Sequence, residues 1–292
     1  MSDSQPAILS DVPRLARYMM FNIVPHANPH EALDELSEFV DFNNTVVGLG
    51  PSLVSLMGGA IDGLHPFVAH SVSGIEIPST PAALWLWLKG EDRGELVHRA
   101  RAIEGILATD FELTDVIDAF QYGDSRDMTG YEDGTENPKG DDAVKVAIVQ
   151  GKGKGLDGSS FVAVQQWIHN LDAFDEMTQE EQDNTIGRRK SDNGELSEAP
   201  ASAHVKKTAQ ESFSPEAFIV RRSMPWANEQ NTGLVFVAFG HSYDAFESLL
   251  ESMLGLKDGV MDGLFGFTQP VTGANFWCPP VKGGRLVLDA LG

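Results

Sequence analysis

Residues Ala83 to Lys89 read ALWLWLK. In an extended chain successive side chains point to opposite faces, so the leucines fall on one side and the tryptophans on the other. The segment therefore reads as a buried strand, and the chain around it has to be read as building a sheet. Upstream, alternation marks a strand from Arg17 to Pro25, with Met19, Phe21 and Ile23 on one face. Asn28-Pro29-His30-Glu31 supplies an N-cap, a proline at the first helical position and an acid in the first turn. The helix that follows carries Leu33, Leu36 and Val40. Thr45 to Gly50 is a short strand, and a Gly-, Ser- and Pro-containing loop is expected from there to about Pro81. A helix over Asp92 to Leu107, with Leu96, Ala100, Ile103 and Leu107 inward, and a strand over Phe111 to Phe120 complete the order βαββαβ.

The second half repeats that order more loosely. Ser160 to His169 reads as a strand, and Thr178-Gln179-Glu180-Glu181 as a capping box opening a helix that ends near Gly187. Ala217 to Arg222 and Leu234 to Phe239 read as strands joined by a loop around Pro225. Asp244 to Leu254 is a helix with Phe246, Leu249, Leu250 and Met253 inward. Lys139 to Asp157 and Arg188 to Ala203 have no period and are expected to be loops. The fold class that follows is α+β: two ferredoxin-like units, each an antiparallel sheet with helices on one face. The expected division is 1–138 and 139–292.

A chain of 292 residues with 42% apolar residues has ample material for such a core. Its 21 basic and 43 acidic residues leave a formal charge of −22. That surface repels phosphate backbones and anionic headgroups, so neither nucleic acid nor a membrane is expected as a partner. Cys278 is the one cysteine, which excludes an intramolecular disulfide framework and a thiolate zinc cluster. MSDSQPAILS carries no basic and apolar leader, and no stretch of 18 apolar residues occurs, so a soluble protein of a reducing compartment is expected.

Three features can carry chemistry. Asp124 to Asp142 is a dense polar run in which Gly130 and Gly134 bracket Asp133; it reads either as a solvated turn or as a loop that fixes one carboxylate, and its spacing misses the EF-hand pattern. His204 stands alone in PASAHVKK. Zinc would require more ligands, whereas haem takes a single axial imidazole from the protein. The other seven histidines show no ligand spacing. Arg221 and Arg222 end an apolar strand and point to opposite faces, so at least one meets the core or a cleft, where a guanidinium needs an anionic partner.

The run Gly130-Tyr131-Glu132-Asp133-Gly134-Thr135-Glu136-Asn137-Pro138 resembles the GxxDG signature of the dye-decolourising peroxidases in its DGTENP form. Ile186-Gly187-Arg188-Arg189-Lys190 is similar to that family's IGRTK segment, and Ser202-Ala203-His204-Val205 to its proximal-histidine segment. Ile219 to Pro225 resembles the strand carrying the distal arginine, and Asp262 to Thr268 with Thr272-Gly273 resembles the C-terminal DxLLxFT…TG stretch. Arg189 stands where Thr is common, Ala203 where Ser is frequent, and Ser223 where some members carry Asn. The compact length resembles the bacterial, cytoplasmic B-type subgroup most.

The resemblance implies one haem b per chain, held mainly by the C-terminal half. His204 is then the axial ligand to iron and Asp262 its hydrogen-bond partner. Asp133, Arg221 and Ser223 act on peroxide, and Arg188, Glu132 and Thr135 contact the cofactor. Hydrogen peroxide and small organic reductants are the implied substrates, and haem delivery or iron release is the alternative activity. A homo-oligomer is expected. An encapsulating shell is left open, with little chain after the last matching segment to dock into one.

Overall fold

The computed structural model describes residues 3–291. The first half runs α1 (Pro6–Leu9), β1 (Leu15–Ile23), α2 (Pro29–Phe39), β2 (Thr45–Leu49), α3 (Pro51–Leu56), β3 (His70–Val72), β4 (Ile75–Ile77), β5 (Leu84–Gly90), α4 (Arg93–Leu107) and β6 (Phe111–Phe120). After α5 (Gly140–Ala147), the second half runs β7 (Ser160–His169), α6 (Leu171–Asp175), α7 (Gln179–Ile186), α8 (His204–Lys207), β8 (Val220–Arg221), β9 (Met224–Ala227), β10 (Thr232–Gly240) and α9 (Asp244–Met253). The short strands β11 (Thr268–Pro270), β12 (Ala274–Cys278), β13 (Val281–Lys282) and β14 (Arg285–Leu286) follow.

Both halves build the same antiparallel sheet. In the first the spatial order is β2-β5-β1-β6, and in the second it is β12-β7-β10-β9. Each places the first and third strands centrally with the fourth beside the first, which is the ferredoxin-like arrangement. One residue pair joins β2 to β12 (Leu49 with Trp277), and one joins β6 to β9 (Ala119 with Trp226). Those two seams close the sheets into a barrel. The tryptophan face of β5 fills its interior: Trp85, Trp87 and Tyr18 stack there and meet Phe239 and Phe276 from the other half. The leucine face of β5 points outward with Met19, Phe21, Val47 and Leu49, and is covered by Leu33 and Leu36 of α2 and by Leu96 and Ile103 of α4.

Three local expectations give way. The loop expected before Pro81 contains α3, which starts with Pro51 at its first position and buries Leu53 and Val54. It also contains the β3–β4 hairpin, turned by Ser73 and Gly74 at positive φ. Within the expected loop 139–157, α5 buries only Ala143 and Ala147, small side chains that give a weak periodic signal. Pro225 lies inside β9 rather than in a loop. Because β9 meets β6 at a single pair, the missing amide hydrogen costs that edge little.

Candidate haem site

Strict alternation along β7 sends Val162 and Val164 into the barrel and Gln165, Trp167 and His169 to its outer face. There they line a cavity of about 360 Å³. Leu234 and Phe236 of β10 continue the wall, and Phe246, Leu249, Leu250 and Met253 of α9 supply an apolar cover. The loop from Asp127 to Glu136 closes one side and α8 another.

His204 opens α8 and lines this cavity. Its Nδ1 lies 2.8 Å from Oδ2 of Asp262, whose side chain has no exposure to solvent. The other carboxylate oxygen accepts the Leu264 amide at 2.9 Å, so Asp262 is fixed from behind. A proton on Nδ1 donated to this carboxylate leaves Nε2 as the ring nitrogen with a free lone pair. Gly187 holds the same region together. It ends α7 at φ 91°, and a Cβ there would stand 2.3 Å from Val205 Cγ2, so only glycine allows α7 and α8 to meet this closely.

Asp133 and Arg221 form an ion pair, Oδ1 to Nη1, at 3.2 Å, with both side chains about one fifth exposed. The Asp133 oxygen also accepts the Gly134 amide at 2.8 Å. Arg222 does not meet the expected anion. It is buried and donates instead to the carbonyls of Ile8 and Leu9 at the end of α1 and to that of Arg221. Carbonyl oxygens at a helix C-terminus carry enough partial negative charge to hold a cation.

Arg188 lines the cavity and donates to Glu136 at 2.7 Å and to the Asn193 carbonyl at 3.1 Å. Asn193 in turn donates to Glu132 at 2.8 Å and to Thr135 at 2.9 Å, both of which also line the cavity. Ser223 sits apart from these residues. It lines a neighbouring cavity of about 640 Å³, and its hydroxyl accepts the Val237 amide at 3.3 Å. Asp133 and Arg221 border both cavities and form the wall between them.

The sequence reading passed over a second histidine–carboxylate pair. His169 Nε2 lies 2.9 Å from Asp127 Oδ1, and its Nδ1 lies 2.6 Å from the Thr268 hydroxyl. Burial alone would raise the Asp127 pKa, but hydrogen bonds from His169 and Thr129 outweigh it and hold the carboxyl below its ordinary value. Tyr131, on the same loop, is buried and hydrogen-bonds to Asp183, and both effects push its phenol up. The signal available in the sequence was the outward face of β7, where His169 follows Gln165 and Trp167.

The donor set fits a haem. Among the described residues no group of three or more His, Cys, Asp or Glu side chains is placed to hold a bare ion. The cavity offers instead one imidazole backed by a carboxylate, an apolar cover, and a guanidinium near its acidic loop.

Fold and site together define a duplicated ferredoxin-like barrel with a cavity whose lining suits a haem. Residues 124–283 match the family described as Dyp-type peroxidase, C-terminal. The chain is 32% identical over 222 residues to the dye-decolorizing peroxidase of Rhodococcus erythropolis, covering 74% of this chain and 65% of that protein. It thus spans about two thirds of that curated relative's length. A dyp-type peroxidase protein from Shewanella oneidensis superimposes with a TM-score of 0.91 at 27% identity, covering 100% of this chain and 98% of that one. A variant of Rhodococcus jostii RHA1 DypB, solved in complex with heme, superimposes with a TM-score of 0.87 at 25% identity, covering 98% and 96%. The chain belongs to the Dyp-type peroxidase family, and its likeness to DypB agrees with the B-type subgroup.

Proposed function

We propose that the protein is a haem b-dependent peroxidase that reduces hydrogen peroxide and oxidises dyes, phenols or other one-electron donors. One observation carries the reading: a histidine backed by a buried carboxylate and a carboxylate–guanidinium pair line the same cavity. His204 Nε2 would hold the iron. Asp262, accepting the Nδ1 proton, makes the imidazole a stronger electron donor. When bound, the haem supplies the redox equivalents that no side chain here carries.

Asp133 takes a proton from the incoming peroxide and returns it to the departing oxygen. Arg221 stabilises the negative charge that develops as the O–O bond breaks. Ser223 faces the neighbouring cavity, where it would orient water or peroxide approaching the Asp133–Arg221 wall. Arg188 is suited to a cofactor carboxylate because a guanidinium can make two parallel hydrogen bonds to one; Glu136, its present partner, would then share it. Glu132 and Thr135 would border the cofactor from the same loop.

The reading extends to the whole chain. Residues 1–138 form the scaffold domain and 139–292 the haem-binding domain of a cytoplasmic homo-oligomer. Among the described residues no helix is long and apolar enough to cross a membrane. The test is direct. Purified protein supplied with haem should show a Soret band, and peroxide should convert it to an oxidised species that a phenol or dye returns to rest. Absence of a Soret band after reconstitution would overturn the proposal. Release of free protoporphyrin without dye oxidation would replace it with iron release.

A further inference from the structure

The DGTENP run contains more than the carboxylate that gives the motif its use. We infer that Asn137 is a positioning residue whose carboxamide takes the place of a missing strand beside β8 and thereby sets Arg221 against Asp133. This rests on the peroxidase reading for its kinetic consequence but not for its structural one.

The inference starts from backbone accounting, since every buried amide and carbonyl needs a partner. β8 is two residues long and ends the sheet, pairing among the described residues only with β10, through Val220 with Phe239 and Arg221 with Ala238. The Arg222 amide also bonds toward β10, donating to the Val237 carbonyl at 2.8 Å. Successive residues of a strand turn their amides to opposite edges, so Ile219 and Arg221 present theirs to the side where no strand lies. Side-chain amides meet both. The Arg221 N–H donates to Asn137 Oδ1 at 2.8 Å, and Asn137 Nδ2 donates back to the Arg221 carbonyl at 3.0 Å. One residue position earlier on that edge, the Ile219 N–H donates to Gln210 Oε1 at 2.9 Å.

This reciprocal pair copies the two bonds that a residue in a neighbouring strand would make. It also fixes which end of the carboxamide faces which group, because an N–H requires the oxygen and a C=O requires the nitrogen. Aspartate at 137 lacks the donor, and leucine lacks both. The loop is built to hold this amide. Asn137 N–H donates to the Gly134 carbonyl at 3.0 Å, closing a turn that starts at Gly134, the residue directly after Asp133. Gly134 lies at φ 77°, and a Cβ there would stand 2.7 Å from Asn137 Nδ2. One tight turn and the residue before it therefore carry both the amide that holds the guanidinium's backbone and the carboxylate that faces the guanidinium. Releasing the clamp lets Arg221 drift from Asp133, and misplacement by about 1 Å can cost about 10²-fold in rate.

The test uses Asn137→Leu and Asn137→Asp in the haem-loaded full chain. Hydrogen–deuterium exchange of peptides covering 217–223 should accelerate by at least about 10-fold at the Arg221 amide in Asn137→Leu, and less in Asn137→Asp, which keeps the acceptor. Unchanged exchange in Asn137→Leu would overturn the inference, whatever the protein catalyses. With the Soret spectrum intact, the peroxide step should slow by about 10- to 10²-fold in Asn137→Leu. In an Arg221→Leu background the same substitution should slow it less than about two-fold further, because its effect runs through Arg221. Equal slowing in both backgrounds would overturn the positioning role. A wild-type protein that binds haem but ignores peroxide would sink the proposed function and leave the exchange result to decide this one. If Asn137→Leu does not fold, Asn137→Asp carries the same cycle.

Discussion

The two ferredoxin-like halves share a strand order and divide sharply in how they use the outer face of the barrel. In the first half that face is leucine, methionine and phenylalanine from β1 and β5, sealed under α2 and α4. In the second half the matching face of β7 carries Gln165, Trp167 and His169, and α9 covers it only in part. The connection after the first strand differs as well. In the first half residues 24–44 hold a single helix, whereas in the second residues 170–219 hold α6, α7, α8 and His204. Topology therefore does not make the site. A polar outer face and a long first crossover do.

The largest expected effect falls on the open half. His204→Ala should lose most of the bound haem or change the Soret spectrum grossly, because among the described residues no other histidine with a free ring nitrogen backed by a carboxylate lines the cavity. A variant with unaltered haem content and spectrum would remove His204 from the role. Next comes the sealed half. Leu86 is fully buried on the outer face of β5, and Leu86→Ala should cost about 2–5 kcal/mol in urea unfolding with the haem spectrum intact. Gln165→Leu, at the matching face of β7, should cost less than about 1 kcal/mol, since the amide it removes has an unpartnered nitrogen. Equal costs at the two positions would break the contrast drawn between the halves.

A third expectation separates the two members of the ion pair on the wall between the cavities. Arg221→Leu should slow the peroxide step by at least about 10²-fold, the low end for losing one preorganised donor. Asp133→Asn should cost less wherever water can carry the proton in its place. Stopped-flow mixing with peroxide ranks them, and unchanged rates in both variants would move the peroxide site elsewhere.

Much of the sheet was legible because alternation is a local signal. β7 occupies Ser160–His169, as its pattern predicts, and the two faces of Ala83 to Lys89 separate into barrel interior and outer layer. The closure of the two sheets was not legible, since it depends on two single-pair seams between residues far apart in sequence. The helix α5 was hidden because alanine buries little surface and leaves a faint period. At the candidate site, spacing alone left His204, Asp133 and Arg221 ambiguous and did not single out Asp262, which entered only through the resemblance. Ser223 was read by its place two residues after Arg221. It lines the neighbouring cavity and not the one that His204 lines.

The last expectation concerns the pair that the sequence reading missed, and it tests whether the cavity loop is held by charge. Asp127 accepts from His169, from the Thr129 amide at 2.9 Å and from the Thr129 hydroxyl at 2.7 Å. Its carboxyl is held below the ordinary value, so the folded state binds this proton less tightly than the unfolded state does. The stabilisation is therefore complete above the unfolded pKa of about 3.9 and is lost as pH falls from there through the folded value. Asp127→Asn removes the titration and the charge-assisted bonds. It should lower stability at pH 7 by about 1.5–3 kcal/mol, the range for a hydrogen bond to a charged group. The gap between wild type and variant should stay constant down to about pH 4 and narrow below it. Urea unfolding between pH 7 and pH 3 measures that gap directly. A gap that keeps its size below pH 4 would mean that Asp127 works by shape rather than by charge. The cavity loop would then be held in the manner of the sealed half, by packing alone.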